Sequence, residues 1–228
     1  VFRGRSVSSL LVSKMWVSFQ VNAAAMVVSL SVGLPLGFWI AHKQGTWLDP
    51  ATITLSLLLM SVPIMVSIPL VLWGLCLKLH WVPCSGWGGI LDARIIVPAI
   101  TMGVPGVAGL ARLMRASTLD VMGQDFVRTA HSKGIHPLSV DYRHILRNAL
   151  IPIVTVLSFS LAGMLTTGFI TERLLGIPGV GDFAIKSIFS RDYPVIMAFT
   201  LILSTAFVLA NLLADITYSF IDPRIRLT

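Results

Sequence analysis

Two carboxylates stand nearest the apolar stretches of this chain, Glu172 and Asp215. A carboxylate inside a membrane span marks proton or cation chemistry by default, because its charge is costly there without a partner. Asp215 lies seven residues before Asp222, about 10 Å along a helix. That places it near headgroup depth, with Asn211 one turn earlier as a structural partner. Glu172 opens a polar stretch after an apolar run. The five histidines, His42, His80, His131, His136 and His144, share no ligand spacing. Cys76 and Cys84 do not make a disulfide framework, and no Cys/His cluster has zinc spacing. No Gly-x-x-x-x-Gly-Lys-Ser/Thr phosphate cradle occurs, so the chain does not itself bind ATP in the usual way. An intramembrane hydrolase would want paired aspartates, a Ser/His pair or His-Glu-x-x-His within the spans, and none is present. What remains is a cluster of six cations in residues 112–152, namely Arg112, Arg115, Arg128, Lys133, Arg143 and Arg147. Its chemistry is docking.

The element that must position these cations reads as helix, glycine, helix. Leu119, Met122, Phe126 and Ala130 recur at spacings of three and four and so share one helix face. Asp120, Gln124, Arg128 and His131 share the opposite face. Lys133 stands in the last turn, Gly134 suits a left-handed terminus, and Pro137 lies beyond. Ser139 is placed to cap a second helix with Asp141 in its first turn.

The surrounding chain is that of a membrane protein. Of 228 residues 55% are hydrophobic and 12% charged, with mean hydropathy +0.85, where soluble domains carry about 25% charged residues. The net charge of +7 sits in loops between apolar runs, as a bilayer requires, which argues against DNA or RNA as a partner. The runs predict five spans, at about 16–41, 53–79, 95–111, 151–171 and 195–220. Each of the first three carries breaks. Gly33 and Gly37 have the spacing that lets helices approach closely, although a kink at Pro35 accounts for them equally well. Pro63 and Pro69 bend the second span. The third is short and interrupted by Pro98, Gly103, Pro105, Gly106 and Gly109, a pattern of pathway-lining or tightly packed interior helices. Trp81 and Trp87 suit an interfacial aromatic belt. In residues 172–194, Pro178-Gly179 and Gly181 make a turn, Asp182 caps a short helix, and Tyr193-Pro194 closes it.

Five spans put residues 112–152 and the C-terminus on one side. Lys and Arg number nine on that side (Lys43, the six of the loop, Arg224, Arg226) and eight on the other. The positive-inside rule therefore only barely favours a cytoplasmic central loop.

Motifs along nearly the whole chain resemble a known family. Arg128-Thr-Ala-x-x-x-Gly134 followed by Leu150-Ile-Pro152 resembles the cytoplasmic "EAA" loop of bacterial ABC-importer permeases. Gln124-Asp-Phe-Val-Arg-Thr-Ala, His144-x-x-Arg147-Asn-Ala-Leu-Ile-Pro152, Ile177-Pro-Gly-Val-Gly181, Arg191-Asp-Tyr-Pro194 and Asp222-Pro-Arg-Ile-Arg226 look like its dipeptide/oligopeptide/nickel subclass. Pro35-Leu-Gly37 and Trp81-Val-Pro83-x-x-Gly86 fit the B-type subunit. The resemblance implies an all-α, polytopic bundle of the type I importer (MetI-like) kind, in a bacterial or archaeal inner membrane. It implies six spans with both ends cytoplasmic, so the first helix is expected to precede this chain, which opens on Val1 and has residues 1–14 outside. It further implies a single permease domain whose residues 112–152 couple to the ATPases and whose residues 172–194 face outward. Gln124, Asp125, Arg128, Thr129, Ala130, Lys133 and Gly134 fall at the ATPase-coupling positions, and Pro63, Gly106 and Glu172 at the translocation path or outer gate. The implied partners are a second permease, two ATPase subunits that bind the ATP, a solute-binding protein and lipid. The implied cargo is peptides or similar small solutes, with nickel or oligosaccharides in the same range, and no cofactor is held by this chain. Arg128-Thr129-Ala130 replaces Glu-Ala-Ala, so no acidic docking contact is carried over. His131 and Ser132 replace the subclass's usual Arg-Ala, and the interval from Gly134 to Pro152 is longer than in the generic motif. An ion-coupled secondary transporter is the alternative; it would want ionisable groups in mid-span.

Overall fold

A computed structural model describes residues 7–164 and 168–221. Arg3, Arg5, Arg224, Arg226, the Asp222-to-Arg226 motif and the side chain of Asp215 lie outside the described residues. The described chain is helical, without strands. It runs α1 (Val7–Ala41), α2 (Leu48–Ser61), α3 (Ile64–Leu72), α4 (Ile96–Met122), α5 (Asp125–Ser132), α6 (Pro137–Val140), α7 (Arg147–Ala149), α8 (Ile151–Gly163), α9 (Phe169–Leu175), α10 (Val180–Phe189) and α11 (Tyr193–Ile221).

The parallel pair α1 and α4 is the spine. Both are long and apolar enough to cross a bilayer, over Leu10–Ala41 and Ala93–Met122. The third span is therefore not short. Pro105 lies inside α4 without breaking it, and the helix continues through Arg112 and Arg115 well past the apolar run. Small residues set how closely the two backbones approach. A Cβ on Gly37 would lie 2.3 Å from the Ala111 carbonyl oxygen, and one on Gly33 would lie 3.0 Å from that of Val107. Gly103 and Gly106 on α4 face Val28 and Ser29 in the same way. The glycine spacing is a packing seam, and Pro35 sits within an unbroken α1.

The second span is bent by 96° between α2 and α3. Pro63 stands at that corner with φ −60° and ψ 142°, an extended conformation that cannot continue a helix. After α3 comes a wide π turn, Trp73–Lys78, and then a loop in which Cys76 and Cys84 form a disulfide, Cα to Cα 5.4 Å. The two cysteines do make a staple. Val82 in this loop is buried with Val21, Ile68, Val97, Leu175 and Ile177. Trp81 is exposed, whereas Trp87 packs against that cluster, so only Trp81 fits the interfacial belt.

The fourth span also differs from its expected bounds. α8 ends at Gly163, and Gly168, at φ +113°, starts the separate helix α9. Residues 193 and 194 begin α11 instead of closing a loop.

Candidate functional site

Two polar assemblies sit at opposite ends of the spine. At one end α4 stops at Met122, and the extended Gln124 (φ −81°, ψ 150°) turns the chain into α5. The helix expected to run unbroken from Leu119 to His131 is thus two helices. The break rotates the apolar face, so Val127 and Ala130 are buried while Phe126 is 38% exposed. They join Met114, Val121, Val140, Ile145, Ala149 and Ile153 in one cluster, which fixes the elbow to the spine. The end of α5 is fully satisfied. Gly134, at φ +73°, donates to the His131 carbonyl at 2.9 Å, and Ile135 donates to that of Ala130 at 3.3 Å. This is a Schellman terminus with Gly at its left-handed position, as the sequence predicts. The next helix begins at Pro137 after His136, so Ser139 lies within it and caps nothing.

Gln124, Asp125, Arg128, Thr129, Lys133 and Gly134 form one exposed surface, and Ala130 is on the buried side. Thr129 and Ser132 turn their hydroxyls back onto the Asp125 and Arg128 carbonyls. The Arg128–Asp125 pair, 3.8 Å apart and open to solvent, adds little stability. The surface is available to a partner.

Not every cation of this region faces outward. Arg115 pairs through both Nε and Nη2 with the buried Asp49, Nη2 to Oδ2 at 2.6 Å, and thereby ties α4 to the start of α2. Arg115 is a structural clamp, not a docking cation. His42, just past α1, meets Asp141 at 3.2 Å, and Ser117 on α4 donates to the Ala149 carbonyl at 2.8 Å. These contacts join the elbow to both helices of the spine.

At the opposite end Glu172 is 1% exposed. Its Oε1 accepts from Ser18 Oγ on α1 at 2.6 Å, and its Oε2 accepts from the Gly181 and Asp182 amides at 2.7 and 3.2 Å. Ser18 Oγ in turn accepts from the Val180 amide at 2.8 Å. A helix leaves its first amides without internal partners, and Gly179, at the N-cap, has no side chain to supply one. Glu172 and Ser18 fill that role from other elements. Glycine is required for the approach, because a Cβ on Gly179 would lie 2.3 Å from Glu172 Cδ. Desolvation pushes the Glu172 carboxyl up, against the lowering effect of the Ser18 hydroxyl and the amides. Asp182 does not cap α10; it sits in the first turn, accepting from Arg173 at 3.1 Å and from Lys186. The stapled loop joins the same end through Gly86, whose amide donates to the Leu175 carbonyl at 2.8 Å.

Between the two ends lies open space. A cavity of about 560 Å³ among α1, α4 and α8 is lined by Asn22, Met26, Ser29, Met102, Gly106 and Met164. A second, of about 370 Å³, shares Met102 and is bounded by Ile64, Pro105 and Thr171. Gly106 therefore lines the first cavity, and Pro63 sits next to Ile64 of the second. Glu172 lines neither. Among the described residues no cluster of His, Cys, Asp or Glu could hold a metal ion.

Residues 33–227 match the family of binding-protein-dependent transport system inner membrane components. This chain belongs to that family. Similar relatives include a Bacillus subtilis dipeptide transport system permease protein, DppB, 36% identical over 97% of this chain and 71% of its own length. A probable peptide ABC transporter permease of Sinorhizobium fredii is 34% identical over 99% of this chain and 74% of its own. An oligopeptide permease, OppB, of Haemophilus influenzae is 31% identical over 99% and 74%. The fold is similar to that of the MetNI methionine ABC transporter in inward-facing form, with a TM-score of 0.73 at 15% identity over 94% of this chain and 97% of the other. The chain is thus a permease subunit of an ATP-driven importer, and ATP hydrolysis belongs to partner subunits. These likenesses support that reading over an ion-coupled carrier.

Sequence reasoning missed three residues of the permease. Ser18 and Asn22 are polar residues four apart within an apolar run, the one signal that pointed to a buried contact. Asn22 Nδ2 donates to the Ser18 and Met164 carbonyls. Asp49 gave no signal, because its partner lies 66 positions away.

Proposed function

We propose that this permease moves peptides across the inner membrane with its elbow in the cytoplasm. There it docks on a pair of ATPases, while the outer hairpin of α9 and α10 faces the solute-binding protein. The observation that carries the reading is the division of the elbow, whose apolar side is locked into the spine while Gln124, Asp125, Arg128, Thr129 and Lys133 stay exposed. A lever needs one face fixed to its load and the other free for its driver. The orientation is supported by the Cys76–Cys84 disulfide, which lies at the end opposite the elbow; disulfides persist on the oxidising side of a membrane. The proposed path is the pair of cavities meeting at Met102, with Gly106 in its wall and the corner at Pro63 beside it. Its lining is largely apolar, which suits solutes that must pass without being held. A second permease would complete it.

The test is reconstitution in proteoliposomes with the second permease, both ATPases and the binding protein. Peptide uptake is expected only with ATP and binding protein together. Uptake driven by an ion gradient without the ATPases would overturn the proposal.

A further inference from the structure

We infer that Ser18 and Glu172 are positioning residues of the transport cycle: they pin the outer hairpin to α1, so that α1 carries movement of the elbow to the outer face. The inference rests on the importer reading above.

Four observations converge on it. First, Glu172 of α9 satisfies the Gly181 and Asp182 amides within the hairpin, while Ser18 of α1 accepts from the Val180 amide and donates to Glu172, so Ser18 is the hairpin's polar anchor on α1. Second, α1 is a continuous helix from Val7 to Ala41, and His42, at its other end, meets Asp141 of the elbow region. About 36 Å of helix separates Ser18 from His42 at 1.5 Å per residue. Third, α1 cannot slide freely on α4. Gly37 sits against the Ala111 backbone, and Gly106 against Ser29. The spine therefore moves as one body, and the elbow is fixed to it again through Ser117 and Ala149. Fourth, Glu172 is buried and its carboxylate oxygens are occupied by hydrogen bonds, so its place is that of a joint and not of a solute contact. Force applied to the elbow displaces the spine. The hairpin follows to the extent that the Ser18–Glu172 joint holds.

The experiment uses the whole transporter, with spin labels on Ser132→Cys in the elbow and Lys186→Cys in α10, both in a background with Cys76 and Cys84 changed to Ser. Glu172→Gln keeps an acceptor and adds a donor, so it is expected to behave as wild type. In Ser18→Ala and Glu172→Leu the elbow label should still respond to ATP, while the response of the hairpin label is lost. Peptide uptake per ATP hydrolysed should fall on the order of tenfold with ATPase turnover retained. A merely structural role would lower uptake and hydrolysis together, and that result would overturn the inference, as would an unchanged ratio in Ser18→Ala. If the unsubstituted complex shows no ATP-driven uptake, the importer reading itself fails.

Discussion

At the scale of single residues, two buried carboxylates are held by different partners, Asp49 by the Arg115 guanidinium and Glu172 by Ser18 and the α10 amides. Burial holds the Glu172 carboxyl above its ordinary range. Its contribution is complete below the ordinary range and is lost as pH rises through the raised value. The melting temperature of the wild type should therefore fall relative to that of Glu172→Gln as pH rises. The opposite trend would show that this environment is misassigned. Asp49→Ala also strands a partly buried guanidinium, at a cost of up to about 3 kcal/mol, readable as a lower melting temperature in detergent.

At the scale of elements, the elbow depends on a left-handed residue and the spine on small ones. Gly134→Val forces a β-branched residue to φ +73°, at roughly 1–3 kcal/mol. That cost falls on the Schellman terminus of α5, so insertion should survive while ATP hydrolysis no longer drives uptake; normal uptake would count against the lever. Gly37→Leu drives a side chain into the Ala111 backbone and should cost about 1–3 kcal/mol or more, read as loss of folded protein. Periodicity revealed the apolar face of residues 119–130 but not the turn at Gln124, because a helix and two helices joined by one extended residue share most of their pattern. The same limit applies to α4. Its prolines and glycines suggested interruption, yet the helix is whole, with α1 packed against Gly103 and Gly106.

For the molecule as a whole, the spine joins an exposed polar surface at one end to the buried Ser18–Glu172 hydrogen bond at the other. A thiol-reactive, membrane-impermeant probe should label Ser132→Cys only from the cytoplasmic side in a Cys76→Ser, Cys84→Ser background. Labelling from outside would invert the orientation. The sequence alone determined the membrane class, its helical spans and the left-handed glycine, since each follows from composition or from residues close together in the chain, and its motifs resembled those of the family. Tertiary structure decided which cations are free, because Arg115 is claimed by Asp49, 66 positions away. It also decided what Glu172 meets, because Ser18 is 154 positions from it. A partner's identity over such separations is set by packing, and local pattern does not encode it.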